Sequence, residues 1–394
     1  MRVNKAMPWA LVIGMTFLST MGSAQSNVTR KQLINDLLED YDANVIPDLD
    51  SDYPTNVTVQ LSIHNMHSIS ETTMEYSVDA LLRTWWRDHR LDFTSIKTNF
   101  TSVELDTKLM DRIWQPDIYF KNEKRGLVHT ITTTNKLMHI NMNGTVVLSI
   151  RLTVALSCSM NLQYYPFDSQ TCPLYLGSFG YTDANINLDW RKQDPVHIKE
   201  NEMPKFDLRS EVELQDYISQ AITGSFSTLR VDFFLDRQIG FFWLQIFIPS
   251  LLLVVLSWVS FWVDPKAVPA RVSLGVTCVL TLTTQSSGTR QLLPPVSYVK
   301  AIDVWMFVCL VFVFAALLEF AYVNVLGRAK EGTETEENET ESKCCTRYKA
   351  VCFKVFAEAG EARAKKVDII SRALFPGVFC IFLSVFFLAC GLAS

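Results

Sequence analysis

The amino-acid sequence predicts a β-sandwich, preceded by a short amphipathic helix, that continues into a bundle of four transmembrane helices. Short alternating stretches separated by turn signals fill residues 25–240, whereas most of the long apolar runs fall after Gly240. The chain of 394 residues is 48% hydrophobic and 20% charged, and soluble domains usually carry about 25% charged residues. The apolar excess therefore indicates membrane helices rather than one large core.

The composition also excludes several classes of protein. The 25 Phe and 9 Trp are side chains that a disordered chain lacks. A net charge of −5 offers no basic surface for a nucleic-acid backbone. The sequence has no phosphate-binding loop, no nucleophile elbow and no metal-ligand spacing, and its six His do not cluster. We therefore predict that the protein is not an enzyme and binds no cofactor, metal or nucleic acid.

The N-terminus has the pattern of a secretory signal. Arg2 and Lys5 precede a short apolar run, and small residues close the segment at Ala24. The run is shorter than the roughly 20 residues that a membrane span needs. We predict a signal peptide at 1–24, with an uncleaved anchor as the alternative, and place residues 25–240 outside the cell.

The predicted extracellular domain begins with a helix at 31–41, where Leu33 and Leu37 lie on one face. Alternating apolar and polar residues then predict strands, among them 57–63, 74–82, 137–140 and 146–154. Asn143-Gly144 between the last two is a strong hairpin signal. Short, evenly spaced strands of this kind are typical of a sandwich.

Cysteines and sequons fit a translocated domain. Only Cys158 and Cys172 lie in this half, and an isolated pair in an oxidising compartment indicates a disulfide. On the cytoplasmic side lie three cysteines that we read as free thiols, with lipidation as the alternative: Cys344, Cys345 and Cys352. Four sequons predict glycosylation acceptors in the extracellular half: Asn27, Asn56, Asn99 and Asn143.

Three later segments are long and almost free of charge, namely 241–263, 304–325 and 369–392. A fourth, 271–293, is long enough to span but rich in hydroxyls. The predicted boundaries are transmembrane helices 1 to 3 at 241–326, a cytoplasmic loop at 327–367, and transmembrane helix 4 with an extracellular C-terminus at 368–394. The basic residues of the loop fit the positive-inside bias.

The hydroxyl-rich segment carries one stripe with a spacing of three and four residues: Ser273, Thr277, Leu280, Thr284, Ser287 and Gln291. The opposite side is apolar: Val272, Leu274, Val276, Val279 and Leu282. Such a stripe faces either neighbouring membrane helices or a water-filled lumen, and its continuity over the whole span favours the lumen.

Charges around this segment predict the sign of the permeant ion. No acidic residue lies between Asp264 and Asp303, whereas four cations do: Lys266, Arg271, Arg290 and Lys300. If the helix starts at the cytoplasmic side, the positive end of its dipole also points at the inner mouth. The pattern predicts an anion-selective pore, with chloride as the ion.

Four motifs connect these features. Residues 158–172 read CSMNLQYYPFDSQTC, and they are followed by PARVSLGVT at 269–277, TTQSSG at 283–288 and VSYVKAIDVW at 296–305. With these motifs the chain resembles the Cys-loop receptors, the pentameric ligand-gated ion channels. It is similar to their anion-selective branch, the glycine receptors and glutamate-gated chloride channels. The resemblance implies a plasma-membrane, postsynaptic protein made of five subunits, homomeric or heteromeric.

In this family a small neurotransmitter-like agonist binds between neighbouring sandwiches, where aromatic rings enclose an amine and an Arg binds a carboxylate. The resemblance assigns this role to Arg83, Tyr119, Leu137, Ser149, Phe179, Tyr181, Thr223 and Phe226. For Phe179 and Phe226 the alternative is plain sandwich core. Three positions depart from glycine receptors and weaken ammonium binding, because aromatic or acidic residues are replaced by Leu81, Gly177 and Ala221. The second disulfide of glycine receptors is also absent, its positions falling on Tyr217 and Thr228.

The resemblance further assigns pore lining to Pro269, Ser273, Thr277, Leu280, Thr284 and Ser287, with the Leu280 ring as a hydrophobic gate. It assigns coupling between the sandwich and the membrane to Glu71, Glu75, Asp168, Arg237 and Lys300. The expected function is a chloride channel subunit opened by a small agonist. The alternatives are a proton-gated subunit and an obligate heteromeric subunit without its own amino-acid agonist.

Overall fold

The computed structural model describes residues 29–393 except for 50, 97, 200–202, 265–266, 292 and 329–345. Within the helices, the side chains of 326–328, 346–364 and 393 are also outside the described part. The predicted signal peptide, Asn27, Lys266 and the three cytoplasmic cysteines therefore lie outside the residues or side chains described.

The extracellular part is a helix followed by two β-sheets, as predicted. Helix α1 spans Arg30–Leu38, and its N-terminus is capped by Thr29, whose hydroxyl accepts a hydrogen bond from the backbone N–H of Gln32 at 3.3 Å. Leu33 and Leu38 bury one face of this helix against the sandwich core. A short helix, α2, follows later at Thr107–Met110.

In the described part of the chain, twelve strands make up the two sheets. They are β1 Thr55–Ser70, β2 Glu75–Asp92, β3 Ser102–Leu105, β4 Ile118–Phe120, β5 Glu123–Val128, β6 Lys136–Asn141, β7 Asn143–Ser157, β8 Ser169–Ser178, β9 Ile186–Trp190, β10 Val196–Ile198, β11 Phe206–Ala221 and β12 Gly224–Arg237. The larger sheet runs β10-β1-β2-β7-β6-β3, with β5 on β7 and β9 on β1. The smaller sheet runs β11-β12-β8-β4.

The predicted alternation of buried and outward-facing side chains determines which residues reach the outer surface of the larger sheet. Along β2 every second side chain is buried in the core, as far as Trp86, so the residues between them face outward. The predicted hairpin is present, because β6 and β7 pair antiparallel with Ile140 opposite Val146. Gly144, the second residue of β7, has a φ of +76°, and a Cβ there would clash with the carbonyl oxygen of Asp88. Only glycine fits this position.

Among the residues that the structure describes, three helical segments are long and apolar enough to cross a membrane: Gly240–Trp262, Ala301–Val325 and Lys365–Leu392. The first is irregular: α3 Gly240–Phe242 and α4 Ile248–Trp258 are separated by a π-helical turn, Trp243–Phe247. The turn lies just before Pro249, which has no N–H to give to the carbonyl of Gln245. The side-chain amide of Gln285 donates to that carbonyl instead, at 3.4 Å.

The hydroxyl-rich segment forms helix α5, Val268–Gln291, which packs against α4 and the next helix, α6 Ala301–Arg328. The last helix, α7, spans Thr346–Ala393. It therefore begins inside the segment that was predicted only as a loop at 327–367. A sandwich followed by apolar helices confirms the predicted fold class.

Candidate functional site

One outward face of the larger sheet forms an open, cationic cavity of about 750 Å³. Three of the predicted agonist residues meet there, because Arg83 on β2 lies opposite Ser149 on β7, which in turn lies opposite Leu137 on β6. Four basic side chains of Lys or Arg line the cavity: Arg83, Lys136, Arg151 and Arg191. No carboxylate is among the lining residues, so the cavity carries only positive charge.

Arg83 is held in place by neutral partners. Its guanidinium donates to the side-chain oxygens of Gln60 at 3.2 Å and Ser62 at 3.1 Å. Arg191 donates to the same Gln60 oxygen at 3.2 Å and stacks over the ring of Trp85 at 4.7 Å. Within the described part of the chain neither arginine has an ion-pair partner, so both remain able to bind an anion.

The other predicted agonist residues lie on the smaller sheet and its loops. The rings of Tyr119 and Phe179 meet edge to face, with centroids 5.4 Å apart. The Phe179 side chain is 75% exposed and Phe226 is half-buried, so neither is sandwich core. The hydroxyl of Tyr181 accepts a hydrogen bond from the indole N–H of Trp114 at 3.3 Å, so this ring partly serves the domain core. Thr223 is exposed in the β11–β12 turn.

A lysine that sequence analysis missed lies among these aromatic residues. Lys121 follows Tyr119 by two residues and faces the same side of the sheet. Its ammonium donates to the hydroxyl of Thr228 at 2.6 Å, and burial lowers the pKa of this lysine. Its Cε lies 2.6 Å from the position that a Cβ on Gly177 would occupy. The departure at Gly177 thus makes room for Lys121.

At the membrane end of the sandwich, three of the predicted coupling residues form a buried ionic cluster. The Arg237 guanidinium donates to the Asp168 carboxylate at 2.8 and 3.1 Å and to Glu71. It also lies between the rings of Tyr165 and Phe206, at 4.5 and 4.4 Å from their centroids. Burial alone would lower the Arg237 pKa, but the two carboxylates outweigh it and raise that pKa above its ordinary value.

The other two predicted coupling residues lie elsewhere in the network. Glu75 pairs with Lys124 at 3.3 Å and Arg125 at 2.9 Å rather than with Arg237. Although desolvation opposes the shift, these cations and hydrogen bonds hold the Glu75 pKa below its usual value. Lys300 is buried and pairs with Asp303 at 3.3 Å, at the start of α6. Glu75 is therefore not part of the Arg237 ion cluster.

The loop between Cys158 and Cys172 connects the two parts of the chain. The predicted disulfide is confirmed. At the loop tip, carbonyls of Gln163 and Tyr165 accept the backbone N–H groups of Ala301 and Ile302 at 2.8 and 3.2 Å. These N–H groups belong to the free N-terminus of α6, so the loop caps that helix. Phe167 of the same tip packs against three membrane-helix rings: Phe247, Phe386 and Phe387.

All six predicted pore residues are exposed on α5 in the single chain. Leu280 is 65% exposed although it is apolar. Ser273 and Thr284 donate their hydroxyls to carbonyls of their own helix. Leu282, Cys278 and Gly275 form the buried face. Val272 and Val276 are exposed, so the predicted apolar side does not pack wholly within the subunit.

Arg271 was predicted to add positive charge to a pore mouth, and this prediction is wrong. Its side chain is only 1% exposed and donates to Asp368 of α7 at 3.0 and 3.2 Å and to the carbonyl of Val263. Lys300 is likewise buried and neutralised by Asp303. Arg290, by contrast, is exposed in the last turn of α5 and has no ion-pair partner among the described residues.

Sequence analysis missed Gln60, Trp85, Lys121 and Arg191. Lys121 could have been found from the period of two, because it follows Tyr119 on the same strand face. Arg191 has no such local signal. The parallel pairing of β9 with β1, which aligns Trp190 with Val59, brings it to the cavity from a distant part of the sequence.

A cationic cavity on one side of the sandwich, an aromatic surface on the other and a polar-striped helix define a ligand-gated membrane channel subunit. Family comparison agrees: residues 30–239 match the neurotransmitter-gated ion-channel ligand binding domain, and residues 246–363 match the neurotransmitter-gated ion-channel transmembrane region. The chain belongs to the neurotransmitter-gated ion-channel family. Members of this family are receptors and channels rather than enzymes, and they are pentamers that bind agonists at subunit interfaces.

Proposed function

We propose that this protein is a subunit of a pentameric chloride channel that is opened by a small agonist. The observation that carries the proposal is the acid-free stretch between Asp264 and Asp303, which contains an exposed polar stripe and the exposed, unpaired Arg290. Five copies of Arg290 around a pore axis concentrate anions at one mouth. Rings of exposed hydroxyls from Thr277 and Ser287 then replace part of the hydration of the ion.

The agonist site in this proposal lies between two subunits. Arg83, Leu137 and Ser149 of one subunit would face the aromatic residues Tyr119 and Phe179 of the next, because the two groups lie on different sheets of one sandwich. Binding would move the β11–β12 turn, which contains Thr223 and ends near Phe226. The Arg237 cluster and the loop tip at Phe167 would transmit this movement to the pore helices.

In the proposed topology the protein spans the plasma membrane and both termini lie outside the cell. The proposed location within the plasma membrane is postsynaptic. Asn56, Asn99 and Asn143 are exposed and remain candidate glycosylation acceptors. Leu81 lines the cationic cavity where glycine receptors have an aromatic residue. This observation favours an obligate heteromeric subunit as the second candidate function.

Ion substitution tests the proposal. In oocytes that express the homomer, agonist-evoked currents should reverse at the chloride equilibrium potential, and replacing external chloride by gluconate should shift the reversal potential to positive values. A reversal potential that follows sodium instead would contradict anion selectivity. Coexpression with an anion-selective relative separates the heteromeric alternative, because only an obligate heteromer gains current in this way.

A further inference from the structure

The structure points to the chemical class of the agonist. Both surfaces of the proposed intersubunit site carry positive charge that is not paired with a described carboxylate. A receptor that binds an ammonium group needs aromatic or negatively charged side chains around that group. On the larger sheet the charge comes from Arg83, Arg151 and Arg191, and the cavity they line contains no carboxylate. On the smaller sheet it comes from Lys121.

The side chain of Lys121 is held in a defined position next to the aromatic residues Tyr119 and Phe179. Its ammonium reaches across strand β8 to the fully buried Thr228 on β12, and it occupies the space that any side chain at Gly177 would need. In this conformation the Lys121 side chain therefore fills the space beside residue 177, which the absence of a Cβ at Gly177 leaves open. No described carboxylate pairs with Lys121, so its charge is compensated neither by Asp117 nor by any other described acid. The nearby Asp117 instead accepts hydrogen bonds from Ser178 and Gly180.

A ligand ammonium placed against Tyr119 and Phe179 would therefore meet a like charge. A second anionic group would meet a charge of opposite sign and a hydrogen-bond donor. Lys121 gives this half of the site a positive charge, and position 177 carries no acidic side chain to balance it. The charges of the two halves then complement an anion at each end of the ligand.

We propose that the agonist is a small organic dianion without an ammonium group, a dicarboxylate, with one carboxylate on Arg83 and its neighbours and the other on the neighbouring subunit's Lys121. This proposal rests on the proposed intersubunit agonist site. Arg151 and Arg191 enlarge the cationic area around the first carboxylate, and Trp85 holds the Arg191 guanidinium in place by stacking.

Glutarate and glutamate form a matched pair of probes, because they differ only in the amino group. On the wild-type homomer, glutarate should evoke current at concentrations equal to or lower than glutamate. Lys121→Ala should raise the half-maximal concentration of glutarate by about 10- to 100-fold, the usual effect of losing one charge-assisted hydrogen bond. Glutamate should lose less, so the potency ratio shifts towards it.

Two further variants sharpen the test. Lys121→Ala combined with Gly177→Glu should shift the potency ratio further towards glutamate, because an acid then replaces the lysine. Lys192→Ala is the matched control: Lys192 is exposed next to Arg191 but does not line the cavity, so the ratio should stay at the wild-type value. A wild-type channel that prefers glutamate over glutarate by tenfold or more would overturn the proposal.

A Leu280→Thr variant tests the ligand class and the chloride-channel proposal independently of each other. A polar gate should conduct without ligand, and glutarate should then change the standing current. If that current is carried by chloride but ignores millimolar glutarate, the ligand class is wrong and the channel proposal stands. If the Lys121 variants change the pentamer content of the purified protein instead of ligand potency, the cations serve subunit contact, and the dianion proposal is overturned.

Discussion

At the scale of single residues, Arg237 shows how a buried charge can be stable. Its guanidinium makes three hydrogen bonds to two carboxylates and lies between two aromatic rings, so each of its polar edges has a partner. Taking such a group out of water is expensive, and only complete pairing offsets that cost. Breaking the cluster at one member leaves the others buried without compensation.

Arg237→Gln should therefore abolish agonist-evoked current and destabilise the extracellular domain by about 3 to 5 kcal/mol, the usual cost of leaving buried charges unpaired. Arg209→Gln is the control, because the Arg209–Asp236 pair is exposed and screened by solvent. Current recording and thermal unfolding of the purified pentamer measure these two effects, and surface labelling corrects the current for the number of channels. Equal losses in both variants would show that burial of the cluster does not matter.

Some members of the charged network at the membrane boundary were predicted from the sequence. The ion-pair partners of the others are visible only in the structure. The family resemblance, supported by opposite charges, correctly brought together Glu71, Asp168 and Arg237. The same reasoning placed Glu75 in the cluster. In the structure Glu75 instead pairs with Lys124 and Arg125, two consecutive residues of β5. It also placed Arg271 at a pore mouth, because a sequence does not show that Asp368 on a distant helix neutralises it.

At the scale of an element, α5 shows what periodicity can and cannot determine. The three-and-four spacing correctly predicted one exposed stripe, since helix geometry alone sets that face. It did not separate the lumen from the contacts between subunits, and Val272 and Val276 are exposed beside the stripe. Pro249 is a local signal for the irregular turn, but the Gln285 amide that binds the freed carbonyl comes from another helix. The start of α7 at Thr346 was not predicted.

The two arginines of α5 should respond differently to the same substitution. Arg290→Gln should lower single-channel chloride conductance by about two- to tenfold, because the exposed charges concentrate anions at the pore mouth. Arg271→Gln should leave the conductance of the remaining channels unchanged and reduce their number at the surface, since it breaks the buried pair with Asp368. Single-channel recording with surface biotinylation distinguishes these outcomes, and a large conductance change in Arg271→Gln would place its charge in the pore.

At the scale of the whole molecule, two differently built parts meet through one loop. The sandwich core was predictable from alternation and the membrane helices from apolar length, because each depends on local periodicity. Their junction was predictable only through the family resemblance of residues 158–172. In the structure this loop caps α6 through Gln163 and Tyr165, and Phe167 enters the aromatic cluster of the helices. Movement of either part is therefore transmitted through this contact as well as through the direct chain connection from β12 to α3.

Phe167→Ala tests that contact. The substitution removes ring contacts with Phe247, Phe386 and Phe387 and should cost about 1 to 3 kcal/mol, yet it leaves the ligand surfaces and the pore stripe intact. Ligand affinity on the purified pentamer should change little, while the maximal evoked current should fall severalfold. Tyr164→Ala on the same loop is the control, because the Tyr164 ring is exposed and makes no ring contact with another described residue. If affinity and current fell together, the loop would support folding of the binding domain rather than transmission to the pore.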